Sequence, residues 1–261
     1  MELHIETKVR PVRVRGVELG TGRPKIILPI LGPSRAELLR EARRVTELPA
    51  DLVEWRLDWY DRLGDWEDLL ETARQLREVL EEMPLLATFR TAREGGCRSL
   101  PESDYRELIE TLAESGLVDL LDIELFSGDE LVRELVDFCH SRGVLAVVSS
   151  HDFDHTPPQA ELVERLRRME ALGADLSKLA VMPRSSEDVL TLLGATREMH
   201  RHWATRPLIT MSMGPLGTVS RITGEVFGSA ATFGSAGKAS APGQLPAEKL
   251  ANMLDTLHES F

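Results

Sequence analysis

Eight short apolar runs, each followed by a stretch of helical periodicity, limit this chain of 261 residues more than any other feature. The runs are KIILPIL from Lys25, LVEWRLDW from Leu52, PLLATFR from Pro84, LLDIELF from Leu120, VLAVVSSH from Val144, LSKLAVMP from Leu176, PLITMSM from Pro207 and a short ATFG from Ala231. Amphipathic segments lie between them. SRAELLREARRV opens on a capping Ser34, PPQAELVERLRRMEALG begins with prolines and ends at Gly173, and ESDYRELIETLAESG and SSEDVLTLLGATREM follow the same pattern. Strands alternating with helices pair in parallel, because each helix returns the chain to the starting edge. Repetition about eight times, with no Ser/Gly-rich linker, predicts an α/β fold: a (β/α)8 TIM barrel forming one domain over residues 1–261. A doubly wound sheet is the alternative, but no G-x-G-x-x-G follows the first run. Residues 1–24 precede the first run, and PVRVRGVELG alternates like a β-hairpin; this N-terminal extension is expected to cover one end of the barrel.

Composition narrows the partners. Apolar residues at 42% and charged residues at 28% are ordinary globular usage, which sets disorder aside. A formal net charge of -12 repels phosphate backbones and anionic lipid, so neither nucleic acid nor a membrane surface is expected as a partner. Cys97 and Cys139 have neither paired spacing nor zinc-site neighbours, so two ordinary thiols in a reducing cytoplasm, with no metal, are expected. The N-terminus lacks a signal-peptide core and no apolar run approaches the ~20 residues of a membrane span, which points to a cytoplasmic protein.

Polar residues break the apolar runs at particular places. Alternation along LVEWRLDW puts Val53, Trp55 and Leu57 on one face and Glu54, Arg56 and Asp58 on the other. The apolar face must meet the helices, so the charged face points into the barrel, where interior positions are normally branched and apolar. Buried there, the three must pair with each other or with a ligand; a solvated edge strand is the alternative. Arg90 closes PLLATFR, Asp122 and Glu124 alternate within LLDIELF, and His151 follows VLAVVSS. Strand C-termini form the reactive face of such barrels, so these residues are expected to converge on one pocket.

Lys178 is the most informative single residue, because lysine occurs only five times here, yet one interrupts LSKLAVM. Burial disfavours an ammonium and supplies the neutral amine that attacks a carbonyl; a snorkelling or ion-paired strand lysine is the alternative. His151 lies one strand earlier, within reach of the same reacting carbon, and an imidazole can both remove and return a proton near neutrality. A structural histidine would also fit, and His155, in the following loop, is the weaker candidate base. The tail GTVSRITGEVFGSAATFGSAGKASAPGQLP is rich in Gly, Ala and Ser, which lets backbone approach a ligand. Arg221 within it suits a carboxylate, while a Gly-rich loop near the last strands also suits phosphate.

Taken together, EWRLD, TFRTAREGG, SHDF, SKLAVMP, MSMG, SRITGEVFGSAATFG and ASAPGQ make the chain resemble the type I 3-dehydroquinate dehydratases. The likeness runs from about Lys25 to the closing AEKLANMLDTLH, with the motifs in the same order and at similar spacing. The resemblance implies a (β/α)8 fold, commonly homodimeric, and conversion of the small molecule 3-dehydroquinate to 3-dehydroshikimate in the shikimate pathway without metal or cofactor. It matches Lys178 to the Schiff-base lysine, His151 to the general acid/base and Glu94 to the carboxylate that orients or tunes it. It also matches Arg221, Ser240 and Gln244 to the substrate carboxylate, Glu54, Arg56 and Arg90 to the hydroxyls, and Met213 and Phe233 to apolar ring contacts. Two positions depart from the pattern: Pro29 stands where the family often has a serine near the substrate, and Pro215-Leu216 where a charged pair is common. Proline cannot donate a hydrogen bond, so one substrate contact is lost there, although no chemical step uses it. The rivals are a class I Schiff-base aldolase, which shares barrel and lysine but cleaves a carbon–carbon bond, and a non-catalytic barrel that binds a small carboxylate.

Overall fold

The computed structural model describes residues 8–237 and 240–261. Residues 1–7 of the expected N-terminal extension, together with Lys238 and Ala239, lie outside the described residues. All eight runs form strands. After a hairpin of β1 (Val12–Val14) and β2 (Val17–Leu19) come β3 (Lys25–Ile30), α1 (Arg35–Thr46), β4 (Leu52–Arg56), α2 (Trp66–Leu80), β5 (Leu85–Thr88), α3 (Glu102–Ser115), β6 (Leu120–Glu124) and α4 (Asp129–Ser141). The chain continues through β7 (Leu145–Asp152), α5 (Gln159–Ala171), β8 (Leu176–Val181), α6 (Ser186–His202), β9 (Leu208–Ser212), the short α7 (Thr218–Ile222) and α8 (Gly224–Phe227), β10 (Ala231–Ser235), a two-residue β11 (Leu245–Pro246) and α9 (Ala247–His258).

The strands from β3 to β11 form one parallel sheet in the order β11-β10-β3-β4-β5-β6-β7-β8-β9. It curls shut where the backbone just before β10 meets β9: Ala230 N–H donates to Leu208 O at 2.7 Å, and Thr210 N–H donates to Ser229 Oγ at 3.0 Å. Helix starts follow the expected chemistry. Ser34 Oγ accepts from Glu37 N–H, and Ser185 with Asp188 makes a reciprocal capping box on α6, a feature contributing about 1 kcal/mol.

Alternation along the strands divides the core. Outward residues such as Val53, Trp55, Leu121, Ile123, Val148 and Leu179 pack on apolar helix faces that include Leu69, Leu76, Leu108 and Leu112. Inward residues near the strand starts (Ile27, Leu52, Leu86, Leu120, Val147, Leu176 and Ile209) form a second apolar cluster, which also takes in Val12, Val14 and Leu19 of the hairpin. The hairpin therefore closes the N-terminal end of the barrel, as its alternation predicts. Apolar filling below confines the inward polar residues to the strand C-termini, where a ligand can reach them. Among the described residues, no helix is long and apolar enough to cross a membrane.

Candidate active site

A cavity of about 460 Å³ opens at the C-terminal ends of the strands. Glu54 and Arg56 reach it from β4, Arg90 and Glu94 from the segment after β5, His151 from β7, Lys178 from β8, Met213 from the end of β9 and Phe233 from β10, while Ser240 and Gln244 close one side. Ten of the eleven residues expected from the sequence therefore share one space. Arg221 is the exception. It is 1% exposed and lies behind the wall, its Nη1 donating to Phe233 O at 3.4 Å and its Nη2 to Pro242 O at 3.0 Å. Among the described residues no carboxylate pairs with it, its Nε has no partner, and burial pushes its guanidinium down to about 10. A buried cation lacking a counter-ion is costly in the empty protein and is suited to an anionic ligand.

Lys178 is buried on the inner face of β8. Its Nζ lies 3.1 Å from Asp122 Oδ2 and 3.4 Å from Glu54 Oε1, and 4.6 Å above the centre of the Phe233 ring. The ammonium thus has two carboxylate partners, which differs from the expectation that burial acts on it unopposed. Arg90 is the hub beneath: Nη2 donates to Asp122 Oδ1 at 2.8 Å, and Nη1 donates to Glu124 Oε1 at 2.9 Å and Ser149 Oγ at 3.0 Å. Arg56 is held bidentately by Asp58, with both contacts at 2.8 Å. Asp58 itself departs from the alternation argument. The strand ends at Arg56 and a 3-10 turn over Leu57–Trp59 carries Asp58 behind Arg56, away from the cavity.

His151 meets Glu94 through its ring Nδ1, 3.0 Å from Glu94 Oε2. The double glycine after Glu94 makes that approach possible: Gly95 sits at φ +85°, and a Cβ on Gly96 would fall 1.8 Å from Arg90 O. Burial, then the charges of Arg90, Lys178 and Arg56, holds the imidazole well below its ordinary range. Burial pushes the Glu94 carboxyl up to about 8, against the opposing charge of Arg90 and with Glu124 and Asp122 adding to the rise. His155 is more than half exposed and bonded to Asp152, outside the cavity. Ser240 and Gln244 bond to each other, Ser240 N–H donating to Gln244 Oε1 and Gln244 Nε2 to Ser240 Oγ, both at 2.9 Å.

The profile of the family described as type I 3-dehydroquinase matches residues 26–261. The chain belongs to that family. A 3-dehydroquinate dehydratase of Syntrophotalea carbinolica is 50% identical over 95% of this chain and 98% of its own length. The corresponding protein of Clostridioides difficile is 45% identical over 97% of this chain and 99% of its own. A crystal structure of a type I 3-dehydroquinate dehydratase from Clostridium difficile, with covalently modified comenic acid, superposes with a TM-score of 0.95 at 44% identity, covering 97% of this chain and all of that one.

Within this type I 3-dehydroquinase, several residues around the cavity escaped the sequence argument. Phe153, Ala180 and Met211 line it, each two positions from a residue already singled out, so extending the alternation from His151, Lys178 and Met213 finds all three. Gly95 and Ala241 also line it, and Ser149 supports Arg90 from below; none carries a distinctive signal in the sequence. Pro29 is buried on β3 opposite Glu54 in register, but it does not line the cavity.

Proposed function

We propose that this chain eliminates water from 3-dehydroquinate to give 3-dehydroshikimate, a step of the shikimate pathway, through a Schiff base on Lys178. The observation that carries this reading is one cavity presenting a buried lysine amine beside a histidine held by a carboxylate. Attack on the ketone requires the free amine, so a proton must first leave Nζ, and Glu54 Oε1 at 3.4 Å is positioned to take it. The proton on Glu54 then leaves with the carbinolamine hydroxyl as water, and the resulting iminium draws electrons from the adjacent carbon. His151, held neutral by burial, removes the proton there. The C–H electron pair becomes the enamine double bond, the nitrogen lone pair then drives out the β-hydroxyl, and the proton on His151 leaves with it as water. Hydrolysis of the product iminium restores Lys178. Every step balances with the chain's own groups, so no metal or cofactor is required.

Glu94 orients the imidazole through Nδ1, which leaves Nε2 for the substrate. Ser240 and Gln244, with Arg221 bonded to the intervening Pro242 O, would fix the substrate carboxylate; Glu54, Arg56 and Arg90 would meet the hydroxyls, and Met213 and Phe233 the ring. Positioning of this kind makes the correct hydrogen face His151. We treat residues 1–261 as one catalytic barrel with residues 1–24 as its extension. A cytoplasmic homodimer is the state expected from the resemblance, and sedimentation velocity giving the mass of one chain would contradict it. Borohydride reduction in the presence of 3-dehydroquinate, followed by peptide mass spectrometry, tests the central assignment. The expected result is a reduced adduct on Lys178; turnover without any trappable adduct would refute the mechanism.

A further inference from the structure

Asp122 touches the atom on which the reaction runs, yet nothing in the elimination as written above uses it. Its side chain is fully buried and does not line the cavity, so it reaches Nζ from beneath and cannot touch the ring of a bound substrate. Its two oxygens are divided. Oδ2 faces Lys178 Nζ at 3.1 Å, while Oδ1 accepts from Arg90 Nη2 at 2.8 Å and from Ser149 Oγ at 2.6 Å. Ser149 stands level with Lys178 on the intervening strand, where a small side chain lets Nζ reach across β7 to β6. We infer that Asp122 is the fixed counter-ion of the Lys178 nitrogen, holding its positive charge both in the resting ammonium and in the covalent iminium. The inference rests on the Schiff-base reading of Lys178.

The charge balance of the reaction gives this contact its consequence. Condensation turns an ammonium and a ketone into an iminium and water, so the nitrogen carries one positive charge before and after. The iminium keeps one N–H, which can still donate to Oδ2. Charge leaves the nitrogen only in the free amine, the carbinolamine and the enamine. A fixed carboxylate therefore prolongs the two charged states and protects the iminium from losing its N–H proton, which would end its power to withdraw electrons. Asp122 is suited to that task because it remains ionised: burial raises its carboxyl, but Arg90, Lys178 and the Ser149 hydroxyl outweigh burial and hold it below the ordinary range. The other charged or titratable groups around Nζ are Glu54 and Arg56 from β4, Arg90 and Glu94 from the segment after β5, and His151 from β7. Among these, Glu54 is the second carboxylate on Nζ, but it lines the cavity, where substrate competes for it.

The test is the pH dependence of borohydride-trapped adduct on Lys178 at saturating 3-dehydroquinate. Because condensation neither takes up nor releases a proton overall, the trapped amount in the unaltered enzyme is expected to stay level up to about pH 9. Removing the carboxylate removes the charge that holds the Lys178 nitrogen positive, so in Asp122→Asn the fall in trapping should begin at lower pH than in the unaltered enzyme, with turnover down at least ~10-fold. A role confined to packing would lower activity without moving the profile, and that result overturns the inference. So does a fall in trapping already below about pH 8 in the unaltered enzyme, a measurement that does not depend on the variant folding. Absence of any adduct in the unaltered enzyme would overturn the Schiff-base reading together with this one, whereas an adduct with identical profiles in both proteins overturns only the role of Asp122.

Discussion

One oxygen of Glu94, Oε2, lies 3.0 Å from both the backbone nitrogen and the ring Nδ1 of His151. The first contact fixes where β7 carries the histidine, and the second fixes the plane of its ring. Burial disfavours charge on both partners, raising the carboxyl and lowering the imidazole. Opposite shifts on two groups in contact keep the imidazole uncharged, which the proposed general base requires.

The raised carboxyl of Glu94 has a consequence for stability. Folding favours its protonated form, so the side chain costs nothing below the ordinary carboxyl range, and stability is lost as pH rises from there toward the higher folded value. Glu94→Gln, which cannot ionise, should therefore be more stable than the parent above neutrality by at least ~1.4 kcal/mol, the equivalent of one pKa unit, and equal to it near pH 4. Urea unfolding at several pH values checks this; a difference independent of pH would show that Glu94 is ionised without penalty.

Lys178→Ala should abolish nearly all turnover while the barrel remains folded, because the iminium is the electron sink for proton loss. Asp122 keeps its bonds to Arg90 and Ser149 in this variant, so no isolated buried carboxylate is created there. More than about a tenth of the parent's turnover would correspond to only ~1.4 kcal/mol of barrier and could not be reconciled with a covalent mechanism.

Much of this site is legible in the sequence, and the reasons are local. Lys178 interrupts an apolar run, and strand alternation alone turns Glu54 and Arg56 inward. What failed was geometry beyond a single element. Asp58 shares their parity, yet the strand ends at Arg56 and the 3-10 turn over Leu57–Trp59 moves Asp58 behind it. The partners of Lys178 Nζ stand 56 and 124 residues away in sequence, so their meeting depends on the register of β4, β6 and β8 around the barrel. Ser149 is an unremarkable serine until that register puts it between Arg90 and Asp122. Arg221 was expected to line the pocket because it sits in a Gly-rich loop. Arg221 instead lies on the short α7, and its guanidinium bonds Phe233 O and Pro242 O behind the wall.

Arg221→Leu should separate binding from stability. The unpaired buried guanidinium burdens the empty protein, so an apolar side chain of smaller charge cost should leave ligand-free stability unchanged or raise it. Hydrogen bonds to a charged group contribute about 1.5–3 kcal/mol, so KM should rise roughly 10- to 100-fold. Turnover at saturation should change less, because the carboxylate is held in ground and transition states alike. An unchanged KM with a collapsed turnover number would contradict this role.

His151→Ala is the sharpest test of how the chemistry is divided. In the proposed mechanism the histidine acts after the carbinolamine begins to form, while Lys178 has its own carboxylates, Glu54 and Asp122, and should still reach the ketone without the imidazole. Turnover should fall at least ~10²-fold, the usual size of a general acid/base contribution, with substrate or product still trapped on Lys178 by borohydride. Persistence of both turnover and trapping at the parent's rates would make His151 structural and move the proton to Glu94, the next titratable group in the cavity, because His155 lies outside it. Loss of trapping in a variant that is folded and binds substrate would place His151 in imine formation as well, and the elimination step could no longer be its only task.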